Sequence, residues 1–116
     1  MSSSSENIKQ AYLRVEKMLS LRLGQTPDLQ AITFLIGLQE LGQLKRLFSK
    51  EEKQDLMHLG VCRLLSQEGY YTFAGRDEDG WPHFEKTGKT PDRNYNQETL
   101  LKKNIVIYFS DQNPLT

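Results

Sequence analysis

The sequence predicts a mainly α fold of the α+β class, in which four helices form one domain and one β-hairpin lies between helix 3 and helix 4. Two observations predict it. Apolar residues recur at helical spacing through most of the 116 residues. One aromatic-rich stretch, at about residues 70–86, instead alternates around an Asp-Gly dipeptide, as hairpins do.

Helix 1 is predicted over residues 6–23, after a serine-rich tail, residues 1–5, that we expect to be disordered. Gly24 predicts its end, because glycine readily takes the left-handed conformation of a helix cap. The remaining chain, residues 6–116, has the length of a single domain. The apolar residues of helix 1 follow the spacing of one helix face: Ile8, Ala11, Tyr12, Val15, Met18 and Leu19.

Helix 2 is predicted from the start signal Thr26-Pro27-Asp28, which combines an N-cap, an N1 proline and an acidic residue of the first turn. Residues 31–38 are apolar on nearly every side, so this helix should be the most buried element. Gly42 predicts its end. We therefore expect the core to be built around helix 2.

Helix 3 follows a short linker, residues 44–48. Ser49 and Glu52 form a capping box, in which each side chain accepts a hydrogen bond from a free amide of the first turn. The helix is predicted to continue to about residue 68, and Gly69 ends it.

The last element, about residues 97–111, fits two predictions. Residues 105–109 form an apolar, partly β-branched run that also suits a strand. The helix is favoured, because Asn96 followed by Glu98 is typical of a helix start. Four apolar residues also fit the spacing of a helix face: Leu101, Ile105, Tyr108 and Phe109.

The hairpin prediction depends on Asp79-Gly80, the dipeptide preferred at the centre of a two-residue type I′ turn. A two-residue turn at this position fixes the register of the two strands. It places Gly75 opposite Phe84, and it places Phe73 opposite Lys86. The sequence therefore predicts both the turn and the pairing.

Because side chains alternate along a strand, this register sorts the hairpin into two faces. The inward face is predicted to hold Tyr71, Phe73 and Phe84. The outward face is polar but carries the only tryptophan, and aromatic and arginine residues are enriched at protein contacts. An alternative is that Trp81 folds over the tip and packs on a neighbouring loop. The candidate contact surface consists of Tyr70, Arg76, Trp81 and His83.

Composition argues against several function classes. Lys plus Arg equals Asp plus Glu, at 15 each, so no excess positive charge favours nucleic acid or an anionic membrane. The single cysteine excludes an intrachain disulfide framework and suits a reducing compartment. The longest apolar run, residues 31–38, is far too short to span a bilayer. We therefore expect a cytoplasmic protein without a membrane partner.

One group of residues is a candidate for chemistry. Asp55, His58 and Cys62 lie roughly along one side of helix 3, and His83 of the hairpin could join them in a metal site or a Cys–His nucleophile pair. A structural zinc site needs four ligands, and this chain offers one Cys and two separated His residues. The sequence therefore predicts no metal, no cofactor and no enzyme activity. A small enzyme or metal-binding protein built on Asp55, His58, Cys62 and His83 is an alternative.

Three helices followed by a hairpin is also the order of elements in a winged-helix domain. Residues 64–71, 77–80 and 84–88 resemble the end of a recognition helix and the wing of bacterial regulators. The resemblance implies a DNA-binding regulator, which is a further alternative. However, the acidic wing tip and the near-neutral start of helix 3 would not neutralise phosphates, so we do not expect nucleic acid as the partner.

As a whole, residues 6–110 resemble a family of short Bacteroidetes proteins that has no assigned function. The stretches that carry the resemblance are Leu29-Gln30-Ala31-Ile32, Gln39-Glu40-Leu41-Gly42 and the hairpin residues 75–84. This resemblance implies no activity, substrate or cofactor.

The leading hypothesis is therefore a non-enzymatic protein–protein interaction or structural module. Its partner is expected to be another protein or a second copy of the chain in a homodimer. The reason is that helix 2 and the C-terminal segment supply more apolar surface than four short helices cover alone.

Overall fold

The computed structural model describes residues 4–43 and 47–112, and it confirms the predicted fold class. Within these ranges the chain forms four helices and one antiparallel hairpin, which lies between the third and fourth helix. The elements are α1 (Ser4–Leu23), α2 (Leu29–Leu41), α3 (Lys50–Ser66), β1 (Tyr71–Arg76), β2 (Pro82–Lys86) and α4 (Gln97–Gln112).

The chain divides into two compact units. Unit 1 comprises residues 1–28 and 92–116 and contains α1 and α4, whereas unit 2 comprises residues 29–91 and contains α2, α3 and the hairpin. The single domain over residues 6–116 stays a prediction. Most of the expected disordered tail, and residues 44–46 of the expected linker, lie outside the described residues.

Unit 1 is a pair of packed helices, α1 and α4. Gly24 ends α1 as predicted, with a φ of 81° and an amide that donates to the Ser20 carbonyl at 2.9 Å. The ambiguous C-terminal element is a helix, and the Asn96 side chain caps it by accepting a hydrogen bond from the Thr99 amide at 2.7 Å. The buried side chains of this unit are Tyr12, Val15, Leu19, Leu100, Leu101, Asn104, Ile105 and Tyr108.

The end of α2 and the start of α3 agree with their sequence signals, whereas the start of α2 does not. α2 begins at Leu29, so the predicted N-cap Thr26 and N1 residue Pro27 both lie before the helix, and its first turn holds no acidic residue. It ends at Leu41 before Gly42, which has a φ of 70°. The capping box of α3 is present: the Glu52 amide donates to Ser49 Oγ at 3.1 Å, and the Ser49 amide donates to Glu52 Oε1 at 2.9 Å. Local capping chemistry therefore fixes the end of α2 and the start of α3.

α2 and α3 lie so close together that their backbones touch at two glycines. A methyl group added at Gly37 would overlap the Leu56 carbonyl, and one added at Gly60 would overlap the Thr33 carbonyl. The two contacts are reciprocal, since each helix supplies one glycine and one carbonyl group. Ile32, Thr33, Ile36, Leu56 and Leu64 are buried in this unit. Only glycine permits this approach, because any Cβ would collide with backbone atoms.

The hairpin lies where the sequence predicts it, but its turn is different. The Gly80 amide donates to the Asp77 carbonyl at 2.9 Å, and the Asp77 amide donates to the Trp81 carbonyl at 3.0 Å. The loop therefore contains the three residues 78–80, with Gly80 in the left-handed region at a φ of 82°. The predicted two-residue type I′ turn is wrong, because Asp-Gly also suits a three-residue loop that ends on a left-handed glycine.

The longer loop also changes the pairing of the strands. Phe73 lies opposite Phe84 rather than opposite Lys86, and a bulge falls between Phe73 and Gly75. The predicted register is therefore wrong at every pair. One extra loop residue moves the partners by one position, and the bulge at Ala74 moves them by one more.

We expect Gly37→Ala and Gly60→Ala each to lower the free energy of unfolding by at least about 2–3 kcal/mol, because a backbone carbonyl cannot move aside for the added methyl group. The greater helix propensity of alanine, about 1 kcal/mol, acts in the opposite direction. Urea unfolding followed by circular dichroism measures the difference. A neutral or stabilising effect at both positions would contradict the close approach of the helices.

Gly42→Ala is the matched control for these variants. Nothing lies within 4 Å of a methyl group added there, and only its φ of 70° resists the substitution. We expect a smaller loss, about 1–2 kcal/mol, from the left-handed backbone alone.

Candidate functional site

A cleft of about 550 Å³ lies between α3 and the hairpin, within unit 2. We refer to it as the α3–hairpin cleft. Its helical wall is formed by residues at helical spacing, so they share one side of α3. Asp55 and His58 are exposed, whereas Leu59 and Cys62 are buried at the base of the wall. The residues of α3 that line the cleft are Glu52, Asp55, His58, Leu59 and Cys62.

The opposite wall is the hairpin loop together with the first residues of β2. Pro82 is buried and Trp81 and Phe84 are half-buried, whereas the acidic loop residues and His83 are exposed. Apolar groups therefore lie at the base and polar groups at the rim. The residues of this wall are Asp77, Asp79, Trp81, Pro82, His83 and Phe84.

The Asp77 carboxylate organises the loop. Its Oδ1 accepts hydrogen bonds from the amides of Asp79 at 2.9 Å and Trp81 at 3.0 Å, and its Oδ2 lies 2.9 Å from His83 Nε2. The pKa of the Asp77 carboxyl group is lowered. The largest cause is the hydrogen bond with His83, and the next is the hydrogen bond from the Trp81 amide. Asp77 therefore remains ionised down to lower pH than an ordinary aspartate.

Arg76 fastens the loop to the end of α2. Its guanidinium donates to the carbonyl oxygens of Glu40 at 2.8 Å, Leu41 at 3.3 Å and Gly80 at 2.8 Å. The last carbonyl groups of a helix have no partner within the helix and attract cations, so an arginine is favourable there. A second link is the hydrogen bond from Gln43 Nε2 to the Asp79 carbonyl at 2.7 Å.

Trp81 packs inward, against the core cluster of unit 2 formed by Leu41, Leu56 and Leu59. The predicted outward position of Trp81 is wrong, and so is the predicted inward position of Phe73, which is 55% exposed. The changed turn and the bulge cause both errors. The alternative prediction, in which Trp81 folds over the tip and packs on a neighbouring loop, is closer to the structure. The ring packs on residues of α2 and α3, however, and not on a loop.

The four residues of the predicted contact surface therefore do not form one continuous surface. Trp81 and His83 line the α3–hairpin cleft. Arg76 is engaged by the end of α2, as described above. Tyr70 precedes the other end of the hairpin, where Lys89 Nζ lies 4.7 Å from the centre of its ring. The contact role of these residues stays a prediction.

Several residues of the cleft were not among the sequence-predicted contact or chemistry residues, and the sequence offers a signal for some of them. Leu59 lies one helical turn after Asp55 and nearly one turn before Cys62, so helical spacing places it on the same side of α3 as these two residues. Asp77 and Asp79 belong to the acidic run beside the turn. Their position in a cleft could not be read from the sequence, because it depends on how the hairpin folds against α3.

The four residues of the enzyme or metal-site alternative lie closer to one another than the four residues of the predicted contact surface do. Asp55, His58, Cys62 and His83 all line the α3–hairpin cleft, and His58 Nε2 lies 3.5 Å from Cys62 Sγ. Within residues 4–43 and 47–112, no group of three or more His, Cys, Asp or Glu side chains has an arrangement that could hold a metal ion.

The Cys62 thiol is not activated by its surroundings. Burial raises its pKa, and this effect exceeds the opposing effects of a hydrogen bond with Tyr71 and the charge of Lys86. A raised pKa keeps the thiol protonated at neutral pH, whereas a nucleophilic cysteine needs the thiolate. The Cys62 and His58 side chains are therefore close together, but the surroundings favour the protonated thiol rather than a thiolate.

The charge of the cleft is one-sided. Four carboxylates line it, from Glu52, Asp55, Asp77 and Asp79, and none of the lining residues in the described part of the chain is Lys or Arg. Glu52 is engaged in the capping box, and Asp77 is engaged in the loop. The carboxylates of Asp55 and Asp79 form no hydrogen bond or ion pair with the described residues.

A second groove, of about 510 Å³, lies between α1 and α4 in unit 1. Its buried base includes Tyr12, whose pKa is raised to about 12, chiefly by burial. Leu13 is 58% exposed at its edge, and its rim carries acidic and basic side chains, among them the ion pair of Lys102 with Glu98 at 3.0 Å. This groove therefore has no preference for one sign of charge.

Comparison of the chain with protein-family models, with curated proteins and with solved structures found no match. The resemblances to short Bacteroidetes proteins and to winged-helix domains therefore stay predictions. Among the described helices, none combines the length and the hydropathy that crossing a bilayer requires. The cytoplasmic location likewise stays a prediction.

We expect Cys62 to react slowly with iodoacetamide at neutral pH and to reach its half-maximal rate only above the pH typical of a free thiol, because burial raises its pKa. Tyr71→Phe should move this midpoint further up, since it removes a hydrogen bond that lowers the pKa. Mass spectrometry of the alkylated chain measures the rate. The same chain unfolded in urea is the control.

Fast alkylation at neutral pH that is lost in His58→Gln would contradict this account. It would favour the alternative of an enzyme built on the Cys62–His58 pair.

Proposed function

We propose that this chain is a non-enzymatic protein–protein interaction module, and that the α3–hairpin cleft is its contact surface. The observation that carries the proposal is the layering of the cleft, with an apolar base that includes the ring of Trp81 below a polar rim. Tryptophan is enriched among the residues that dominate protein interfaces. The cleft volume, about 550 Å³, is also within the range of sites that enclose a bound group.

The way the loop is held supports a binding role. Arg76 and Gln43 tie the loop to the end of α2, and the Asp77 carboxylate orders the loop internally. A wall that is already ordered loses little conformational entropy when a partner binds, so more of the contact energy contributes to affinity.

Binding is favoured over catalysis by the state of the Cys62 thiol. Its raised pKa favours the protonated thiol over the thiolate that a nucleophile needs at neutral pH. The enzyme alternative keeps one observation in its favour, the 3.5 Å separation of His58 Nε2 and Cys62 Sγ. The alkylation experiment above decides between the two.

The winged-helix alternative is disfavoured by the charge of the same region. The surfaces that would face DNA are the hairpin loop, which carries Asp77, Glu78 and Asp79, and the start of α3, where lysines and carboxylates nearly balance. Carboxylates repel the phosphate backbone, which supplies most of the affinity of DNA-binding proteins. We therefore propose a protein partner.

A library of random peptides displayed on phage tests the proposed function. We expect the wild-type chain to select peptides that shift the fluorescence of Trp81, the only tryptophan, because the ring forms part of the cleft. His58→Phe places a larger side chain on the exposed wall and should weaken the selected peptides at least about tenfold, which equals about 1.4 kcal/mol.

Leu23→Ala is the control, since Leu23 is 46% exposed on α1 and does not line the cleft. It should leave binding of the selected peptides unchanged. If no peptide is enriched, or if the enriched peptides bind His58→Phe as tightly as wild type, the cleft is not the contact surface.

Self-association is the second part of the proposal. Its support is the exposed apolar surface of α1, where Leu21 is 79% and Leu13 is 58% exposed, since such surface can be covered by a second copy. We expect the mass measured by light scattering to rise with concentration in the micromolar range and to fall in the double variant Leu13→Ser, Leu21→Ser. A constant monomer mass at every concentration would remove the homodimer.

A further inference from the structure

The polar rim of the α3–hairpin cleft specifies the sign of charge that its occupant must carry. Among the residues that the structure describes, four carboxylates and no lysine or arginine line the cleft. An acidic segment would be repelled by this charge. Complementary potentials on two surfaces speed their encounter and exclude partners of the wrong sign.

Two of these carboxylates form no hydrogen bond or ion pair with the described residues. Glu52 already serves the capping box and Asp77 already serves the loop, whereas the carboxylate groups of Asp55 and Asp79 have no such contact within the described part of the chain. Asp55 stands on the helical wall and Asp79 on the loop wall, so they face the cleft from its two sides. A neutral apolar occupant would take both carboxylates out of water without a partner, which is unfavourable.

The base of the cleft suits the rest of a cationic side chain. Lysine and arginine carry long apolar stems below their charged ends, and such stems pack on apolar surface. Trp81 and Phe84 line the cleft and offer aromatic surface on which such a stem can pack. The aromatic base and the acidic rim therefore match two different parts of the same side chain.

We propose that the α3–hairpin cleft binds a basic segment of a partner protein, with a lysine or arginine stem on Trp81 and its cationic end between Asp55 and Asp79. This inference rests on the proposed function and names the chemistry of the partner. The groove between α1 and α4 supports no such assignment, because its rim carries charges of both signs.

Peptides that differ only in charge test this proposal. Four peptides of one length alternate leucine with arginine, lysine, glutamine or glutamate, and the fluorescence of Trp81 reports binding to the full chain. We expect the arginine and lysine peptides to bind at least about tenfold more tightly than the glutamine peptide, and the glutamate peptide not to bind. Affinity for the basic peptides should fall as salt is raised from low to physiological concentration.

Single charge-neutral variants locate the contact. Asp55→Asn and Asp79→Asn should each weaken the arginine peptide about three- to fivefold, the effect of removing one partly exposed ion pair. Glu85→Gln is the matched control, because it makes the same change in charge on β2 at an exposed residue that does not line the cleft. It should change the affinity less than twofold.

The remaining outcomes each overturn the proposal. If the glutamine peptide binds as tightly as the arginine peptide and His58→Phe blocks both, the cleft is a contact surface but not one for basic segments. If no peptide affects Trp81, the proposed function fails as well. If spermine binds as tightly as the arginine peptide, the ligand is a small polycation. If dilution of the protein alone shifts the fluorescence, the occupant is a second copy.

Discussion

The packing of α2 against α3 through Gly37 and Gly60 is the constraint on which unit 2 depends. Each glycine lies against a backbone carbonyl of the other helix, so the two helix axes cannot separate or slide without losing this contact. Buried Leu56 lies at one of these contacts and also belongs to the cluster that receives Trp81. The hairpin packs against these two helices. Arg76 binds the end of α2, and apolar side chains of the hairpin contact α3. The cleft is what remains open between them.

Much of this fold can be predicted from local sequence, because residues next to the helix ends form the caps that terminate most of the helices. The capping box at Ser49 and the left-handed glycines after α1 and α2 act within a few residues, and the structure has each of them. The close approach at Gly37 and Gly60 was harder to foresee. A glycine inside a helix pattern lowers the expected helix stability by about 1 kcal/mol relative to alanine, and only the facing helix shows what compensates for it.

The site was predictable in composition but not in arrangement. The sequence identifies the aromatic and acidic hairpin as the informative segment, and it proposes Asp55, His58, Cys62 and His83 as one group, which the cleft does bring together. The two faces of the hairpin could not be assigned, because Asp79-Gly80 is compatible with loops of two or three residues and a bulge leaves no local signal here. Each change moves the register by one, and together they decide that Trp81 packs inward while Phe73 is exposed.

Nuclear Overhauser effects across the α2–α3 contact test the central claim most directly. A methyl group added at Gly37 would lie 3.2 Å from the Leu56 α carbon, and one added at Gly60 would lie 3.2 Å from the Thr33 α carbon, so the α protons of both glycines must lie close to those residues. We therefore expect strong cross-peaks from the α protons of Gly37 to Leu56 and from those of Gly60 to Thr33 in the isotope-labelled chain. Absence of both cross-peaks in a folded sample would contradict the helix packing on which the cleft depends.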